Sequence, residues 1–344
     1  MDMTVAEKVA VFGAYGHTGR FVVAELLARG FVSIAVGRSG EKLDALAERH
    51  PGLEVRVATV EDPASLDRAL DGTAAVINCA GPFASTVAPV VEAALRAGIA
   101  YVDVAAEIEA TLDTFAQFGD RARAAGIAVV PAMAFFGGLG DLLATAALGD
   151  WTSADEVHIA YGLSSWLPTS GTRISGKVSR ERTDGRSRRY ANGRLEYHND
   201  ERQSLEWKFP EPLGARTVVE GFTMADAVTI PTHASVPEIY SYMTVEAAAD
   251  VANPDTPAPV AADESGRSAQ TFLVDVVVRS GGAERRAGAS GRDIYAISAP
   301  LAVEAVDRIL SGNIKKVGVA SAGEIFNAEE FLAALEERNY IARV

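Results

Sequence analysis

Three glycines at the spacing G-x-x-G-x-x-G, Gly13, Gly16 and Gly19, follow the apolar run Val9–Phe12. A helix-like stretch from Arg20 to Arg29 comes next, with Phe21, Val22, Leu26 and Leu27 on or near one face. Strand, glycine turn and helix in this order form a dinucleotide-binding fingerprint. Gly13 permits the tight turn, Gly16 lets a pyrophosphate approach the backbone, and Gly19 lets the helix sit close to the strand. The helix N-terminus then offers unpaired N–H groups and a partial positive charge to phosphates. Tyr15, His17 and Thr18 lie inside the turn and are expected to contact the same ligand.

A second strand, Val32–Val36, ends at Gly37–Arg38–Ser39. An acid about 20 residues past the glycines would hold a ribose 2′-hydroxyl. Arg38 and Ser39 stand there instead, and a guanidinium pairs bidentately with a 2′-phosphate. The expected cofactor is therefore NADPH (NADP) and not NADH. Further on, Glu41–His50 reads as a helix, Leu53–Val60 as a strand, and Asp62–Pro63 as a capped helix start. Ala74–Ala80 is a fourth strand. Its end, Asn78, Cys79, Ala80, Gly81, Pro82 and Phe83, is expected to pass beneath the ribose and nicotinamide. Cys79 has no evident activating base and reads as a small packing residue. Helices Val87–Ala97 and Ile108–Ala125, each closed by glycine, alternate with strands Ile99–Val104 and Ile127–Pro131. Six strands alternating with helices define a doubly wound parallel sheet, with ligands at its C-terminal edge.

The pattern changes near Trp151. From about residue 154 to 291 it is strand-like: Val157–Tyr161, Gly185–Tyr197 with a turn at Asn192–Gly193, Arg216–Glu220, Ser241–Glu246 and Thr271–Arg279. This predicts a mostly antiparallel sheet. The Ser/Gly/Thr stretch 170–175 reads as loop, Arg180–Arg189 as a solvated hairpin, and Val251–Ser268 as a surface loop. Helices Tyr295–Leu310 and Ala328–Arg338 are expected to return to the first sheet. The predicted division is 1–148 plus 295–344 for the dinucleotide domain, and 149–294 for a substrate or dimerisation domain.

A net charge of −14 argues against sequence-independent nucleic-acid binding. It also disfavours a strongly anionic substrate, unless Arg173, Arg180 and Arg182 override it locally. One cysteine fits a reducing compartment. No signal-like segment and no apolar run of about 18 residues is present. A cytoplasmic protein with no membrane partner is expected. The antiparallel sheet leaves room for a homodimer. No metal-ligand spacing, no Y-x-x-x-K and no G-x-S-x-G occurs.

Seven stretches together resemble the saccharopine dehydrogenase-like oxidoreductases, a family that includes bacterial stand-alone enoyl reductases. They are Val9–Arg20, Ala35–Leu43, Val76–Phe83, Tyr101–Glu107, Gly171–Ser175, Val228–His233 and Gly291–Tyr295. The resemblance implies a Rossmann-type doubly wound α/β domain with a second α+β domain on a mostly antiparallel sheet. Phe136–Asp141 departs from it, keeping one of two acids common there. The resemblance places His233 at the active cleft, where an imidazole titrating near neutrality suits proton donation. Thr172 is a candidate for binding substrate oxygen, and Tyr240 or Tyr295 for donating a proton. Two functions are open: an NADPH-dependent reductase acting on an imine or activated alkene of a small molecule, or a non-catalytic NADP(H)-binding regulator or redox sensor.

Overall fold

A computed structural model describes residues 6–200 and 202–344. The first sheet is built from β1 (Lys8–Phe12), β2 (Val32–Gly37), β3 (Glu54–Val57), β4 (Ala75–Asn78), β5 (Ala100–Asp103) and β6 (Ala128–Val130). Between them run α1 (His17–Ala28), α2 (Gly40–Ala47), α3 (Pro63–Leu70), α4 (Phe83–Ala97) and α5 (Ile108–Ala125). Val9, Ala10 and Val11 on central β1 are fully buried. A continuous apolar run is what a parallel strand covered on both faces requires. Local signals set the helix ends. The Ser39 hydroxyl caps α2, Asp62 caps α3, and α4 and α5 stop at the left-handed Gly98 and Gly126.

A tight turn at Phe135–Leu139 leads into α6 (Gly140–Leu148) and then the second sheet. That sheet begins with β7 (Glu156–Leu163), followed by α7 (Ser170–Arg182), β8 (Ser187–Ala191), β9 (Arg194–His198), β10 (Ser204–Lys208) and β11 (Ala215–Glu220). The short α8 (Asp226–Thr229) precedes β12 (Glu238–Thr244), α9 (Val245–Ala252), β13 (Thr271–Ser280) and β14 (Ala283–Arg292). The chain closes with α10 (Ser298–Leu310), β15 (Gly318–Val319), α11 (Ala322–Ile325), α12 (Ala328–Glu337) and β16 (Ile341–Arg343). The first sheet runs β15-β6-β5-β4-β1-β2-β3 with every pairing parallel. The second runs β10-β11-β12-β7-β13-β14-β16, antiparallel except for β12 against β7.

Several elements differ from the sequence expectation. Residues 170–182, read as loop and hairpin, form α7. None of its side chains is buried, so it leaves no apolar period to read. α4 begins at Phe83 and not at Val87, because the distant Glu107 carboxylate accepts from the N–H groups of Phe83 (2.9 Å) and Ala84 (3.0 Å). The C-terminal segment divides between the two sheets. α10 packs on α1, where Arg29 at the C-terminal cap of α1 pairs with Glu304 on α10 at 2.5 Å, and β15 adds a seventh parallel strand. β16, however, pairs with β14 of the second sheet. Among the described residues no helix is long and apolar enough to cross a membrane.

Candidate functional site

A cleft of about 980 Å³ lies between the two sheets, over the C-terminal ends of β1 and β4. The strand order reverses there, which is where open α/β sheets take their ligands. Gly13 has φ +83°, and a Cβ on it would sit 2.9 Å from the Ala80 Cβ and backbone nitrogen. The Gly13 N–H donates to the Val36 carbonyl at 2.8 Å, which draws the turn across the sheet. Gly16 is the N-cap of α1 and supplies no side-chain cap, so the first N–H groups of the helix are left for a ligand. Tyr15, Gly16, His17 and Thr18 all line the cleft. The Tyr15 ring lies over Gly37, where a Cβ would come within 2.6 Å of it.

His17 carries the most informative atom of the turn. Its Nδ1 accepts from the Arg20 guanidinium at 3.1 Å, which leaves the proton on Nε2. That Nε2 is buried with no partner. Burial lowers the imidazole's pKa, Arg20 lowers it further, and Asp293 raises it more weakly. A neutral, orphaned N–H beside an uncapped helix N-terminus fits an anionic oxygen of a diphosphate.

At the β2 end of the cleft Arg38 is exposed, lines the cleft, and makes no ion pair among the described residues. Ser39 is placed differently from the expectation. Its hydroxyl accepts from the Lys42 N–H at 3.4 Å as the α2 cap, and it is not among the cleft residues. Lys42 was not singled out in the sequence. Its ammonium lies 5.6 Å from the centre of the Tyr15 ring.

Along the β4 loop, Cys79, Ala80, Gly81, Pro82 and Phe83 line the cleft, but Asn78 does not. Asn78 is fully buried. Its amide donates to Thr86 and Tyr101 at 3.2 Å, and its carbonyl accepts from the Ala80 N–H at 3.0 Å. It shapes the loop that others use for contact. Burial, reinforced by Asp103, pushes the Cys79 thiol far above its ordinary pKa, which disfavours the thiolate that a nucleophile needs.

α7 roofs the cleft. Thr169 caps it by accepting from the Thr172 N–H at 3.1 Å. Arg173 holds it to the carbonyls of Asn253 and Thr256, and Arg182 to Asp113 at 2.7 Å. Of the three arginines weighed for an anionic substrate, only Arg180 lines the cleft. Thr172 does so as well, with its hydroxyl 2.9 Å from the Tyr295 hydroxyl. Tyr295 also accepts from Trp166 Nε1 at 3.0 Å and from the Thr169 N–H at 3.3 Å, and its ring meets that of His17 edge to face. Burial raises its pKa, so it stays protonated.

Two of the catalytic candidates fall outside the cleft as well. His233 Nε2 lies 2.6 Å from Asp141 Oδ1, and Asp141 Oδ2 accepts from the Gly323 N–H at 2.9 Å. This pair ties α6, α11 and the turn after α8 together. It does not line the cleft. Tyr240 points to the outer face of the second sheet, with its ring stacked on His158 at 4.9 Å. Its neighbour Ile239 takes the inner face, and alternation along β12 sends Tyr240 the other way.

Behind the Phe135–Leu139 turn lies a buried acid. Asp226 accepts from Tyr161 (2.5 Å) and from the Gly137 N–H (3.0 Å). Burial pushes its carboxyl up to about 7, and burial likewise raises Asp103 to about 6. Both acids hold a proton in the fold that the unfolded chain releases near pH 4, so stability falls as pH rises across that interval. The limiting slope is about 1.4 kcal/mol per pH unit for each such proton. His233 acts in the same direction. Burial lowers its pKa, the Asp141 carboxylate outweighs this, and the stabilisation it brings below about 6.5 is lost as pH rises through its raised pKa. Melting temperature is expected to fall between pH 5 and 8, and Asp226→Asn to flatten that slope. An unchanged slope in the variant would show that Asp226 is ionised throughout.

A doubly wound sheet with a glycine cradle, an uncapped helix start and a second domain over the switch point defines a two-domain dinucleotide-binding protein. Residues 9–130 match the family model of the saccharopine dehydrogenase NADP binding domain. Over 145 residues the chain is 29% identical to a saccharopine dehydrogenase-like oxidoreductase of Mus musculus, covering 37% of this chain and 34% of that protein. Over 142 residues it is 31% identical to a probable mitochondrial saccharopine dehydrogenase-like oxidoreductase of Arabidopsis thaliana, covering 37% and 31%. The matched stretch is thus about a third of these relatives' length. The whole fold is similar to that of apo histidine-tagged saccharopine dehydrogenase (L-Glu forming) from Saccharomyces cerevisiae, with TM-score 0.68, 14% identity, and coverage of 98% of this chain and 99% of that one. Among the described residues no group of three or more His, Cys, Asp or Glu could hold a metal ion.

Proposed function

We propose that this chain is an NADPH-dependent reductase, saccharopine dehydrogenase-like, acting on an imine or activated alkene of a small molecule. The observation that carries this reading is the Thr172–Tyr295 hydroxyl array facing the same cleft as the glycine cradle. A non-catalytic sensor has no need of convergent polar groups beside the cofactor. NADPH, when bound, supplies the hydride. The uncapped α1 N-terminus and His17 Nε2 would hold its diphosphate, and Arg38, with Lys42 nearby, its 2′-phosphate.

The residues around Tyr295 set the direction of its proton. Its oxygen accepts from Trp166 and Thr169, so its own proton turns to Thr172 or to the Leu167 carbonyl. When Tyr295 and the Thr169 hydroxyl (3.0 Å) both donate to Thr172, the Thr172 hydroxyl is left to donate into the cleft, toward the substrate atom that must be protonated. α7 residues Thr172, Ile174 and Ser175 line the cleft at this point.

A fluorescence titration with NADPH and NADH tests the cofactor, and NADPH oxidation with imines and enoyl thioesters tests the chemistry. Arg38→Ala is expected to weaken NADPH roughly tenfold to a hundredfold, as loss of a charged hydrogen bond does, and to leave NADH nearly unchanged. Equal loss for both cofactors would remove Arg38 from the 2′-phosphate. If neither cofactor binds, the reductase reading fails.

A further inference from the structure

We propose that the outer half of the cleft binds an apolar organic monoanion, a carboxylate on an aromatic or branched hydrocarbon body; this substrate class rests on the reductase reading of the cleft. An unbroken aromatic wall runs outward from the cofactor side. Trp166, whose indole N–H is held by Tyr295, packs on Phe136 at 5.0 Å and on Phe222 at 5.8 Å between ring centres. The Arg202 guanidinium lies 5.1 Å from the centre of the Phe222 ring, where the wall ends. All four residues line the cleft, as does Met224 beside them.

The charges of the cleft select the ligand's polar group. Five arginines line it (38, 180, 186, 188 and 202) against three glutamates (61, 107 and 109), in a chain of net charge −14. Each glutamate is accounted for. Glu107 caps α4, Glu109 pairs with Arg188 at 3.0 Å, and Glu61 lies toward Arg38 at the β2 end. No carboxylate among the described residues pairs with Arg180 or Arg202. An amino acid entering here would find no unpaired carboxylate for its ammonium, because Glu107 and Glu109 are engaged within the fold. An anion without an ammonium pairs with Arg202, while its hydrocarbon body displaces water from Phe136, Trp166 and Phe222.

Three probes share one body and differ in charge: naphthoate, its neutral amide, and the zwitterion naphthylalanine. Each is titrated into the full-length protein by calorimetry and by tryptophan fluorescence, with Trp166→Phe assigning the quench. Naphthoate is expected to bind at least about tenfold more tightly than the amide or the zwitterion. Arg202→Met, at an exposed position where little change in melting temperature is expected, is expected to erase the difference between naphthoate and amide. The proposal is overturned if naphthoate does not bind, if amide or zwitterion binds as well, or if Arg202→Met leaves naphthoate affinity intact. NADPH titration of the unsubstituted protein is read separately. If naphthoate binds as expected and NADPH does not, the reductase reading falls and the anion site stands; the reverse pattern removes only the anion site.

Discussion

Gly19→Ala is expected to abolish measurable dinucleotide binding. A Cβ at Gly19 would overlap the Gly13 carbonyl oxygen and lie 2.9 Å from that of Ala14. Both obstacles are backbone atoms, so no side-chain rotation relieves them. The Gly13 carbonyl also accepts from the Gly16 N–H at 2.9 Å, and moving it opens the turn that presents the start of α1 to the diphosphate. Losing two charge-assisted contacts weakens a ligand roughly a hundredfold or more. Overpacking the strand–helix contact costs about 1–3 kcal/mol of stability in addition. Gly30→Ala is the matched control. Gly30 has φ +83° but open space around its Cβ position, so backbone strain arises there without a collision. Cofactor titration and urea denaturation of both variants separate the effects. Normal NADPH binding by Gly19→Ala would mean that the turn tolerates a Cβ, and the cradle would not be what recognises the diphosphate.

Asp141→Ala is expected to destabilise the protein by about 3–5 kcal/mol, the range for removing one partner of a buried ion pair. Asp141 is fully buried, and its two oxygens serve His233 and the Gly323 N–H. Without it both donors lose their acceptor inside the protein. Asp141→Asn keeps an acceptor oxygen and is expected to cost less. Denaturant midpoints measure both, and His233→Gln adds a separate test of mechanism. If His233 positions helices, that variant loses stability while its NADPH oxidation per folded molecule is maintained. A stable but inactive His233→Gln would place the imidazole in the chemistry, against its position outside the cleft.

The cofactor half of the site was legible because its residues are contiguous. Gly13 to Gly19, Arg38, and Cys79 to Phe83 each sit where one strand ends, and in a parallel sheet all strand ends meet at one edge. Within these stretches the fine assignments were less legible. Ser39 and Asn78 have the right chemistry to touch a ligand, but local geometry turns both onto the backbone. The proposed substrate half draws on Phe136, Trp166, Thr172, Arg202, Phe222 and Tyr295, which line one cleft but are far apart in the chain and share no spacing. α7 was illegible for a different reason. None of its side chains is buried, so no apolar stripe marks it. The resemblance placed His233 in the cleft because its neighbours in sequence matched. Its true partner, Asp141, lies 92 residues away.

By itself the sequence determined the alternation of apolar strands and capped helices, the glycine cradle, and the absence of an acid where a ribose 2′-hydroxyl would be held. These are properties of consecutive residues, written in periods of two and 3.6 and in the steric freedom of glycine. Only the tertiary structure decided that β16 joins the second sheet, that Glu107 caps a helix begun 24 residues earlier, and that an acidic chain carries a basic cleft with an aromatic wall. Such features depend on which distant side chains the packing of two sheets brings within a few ångströms, and distance along the chain carries no record of that.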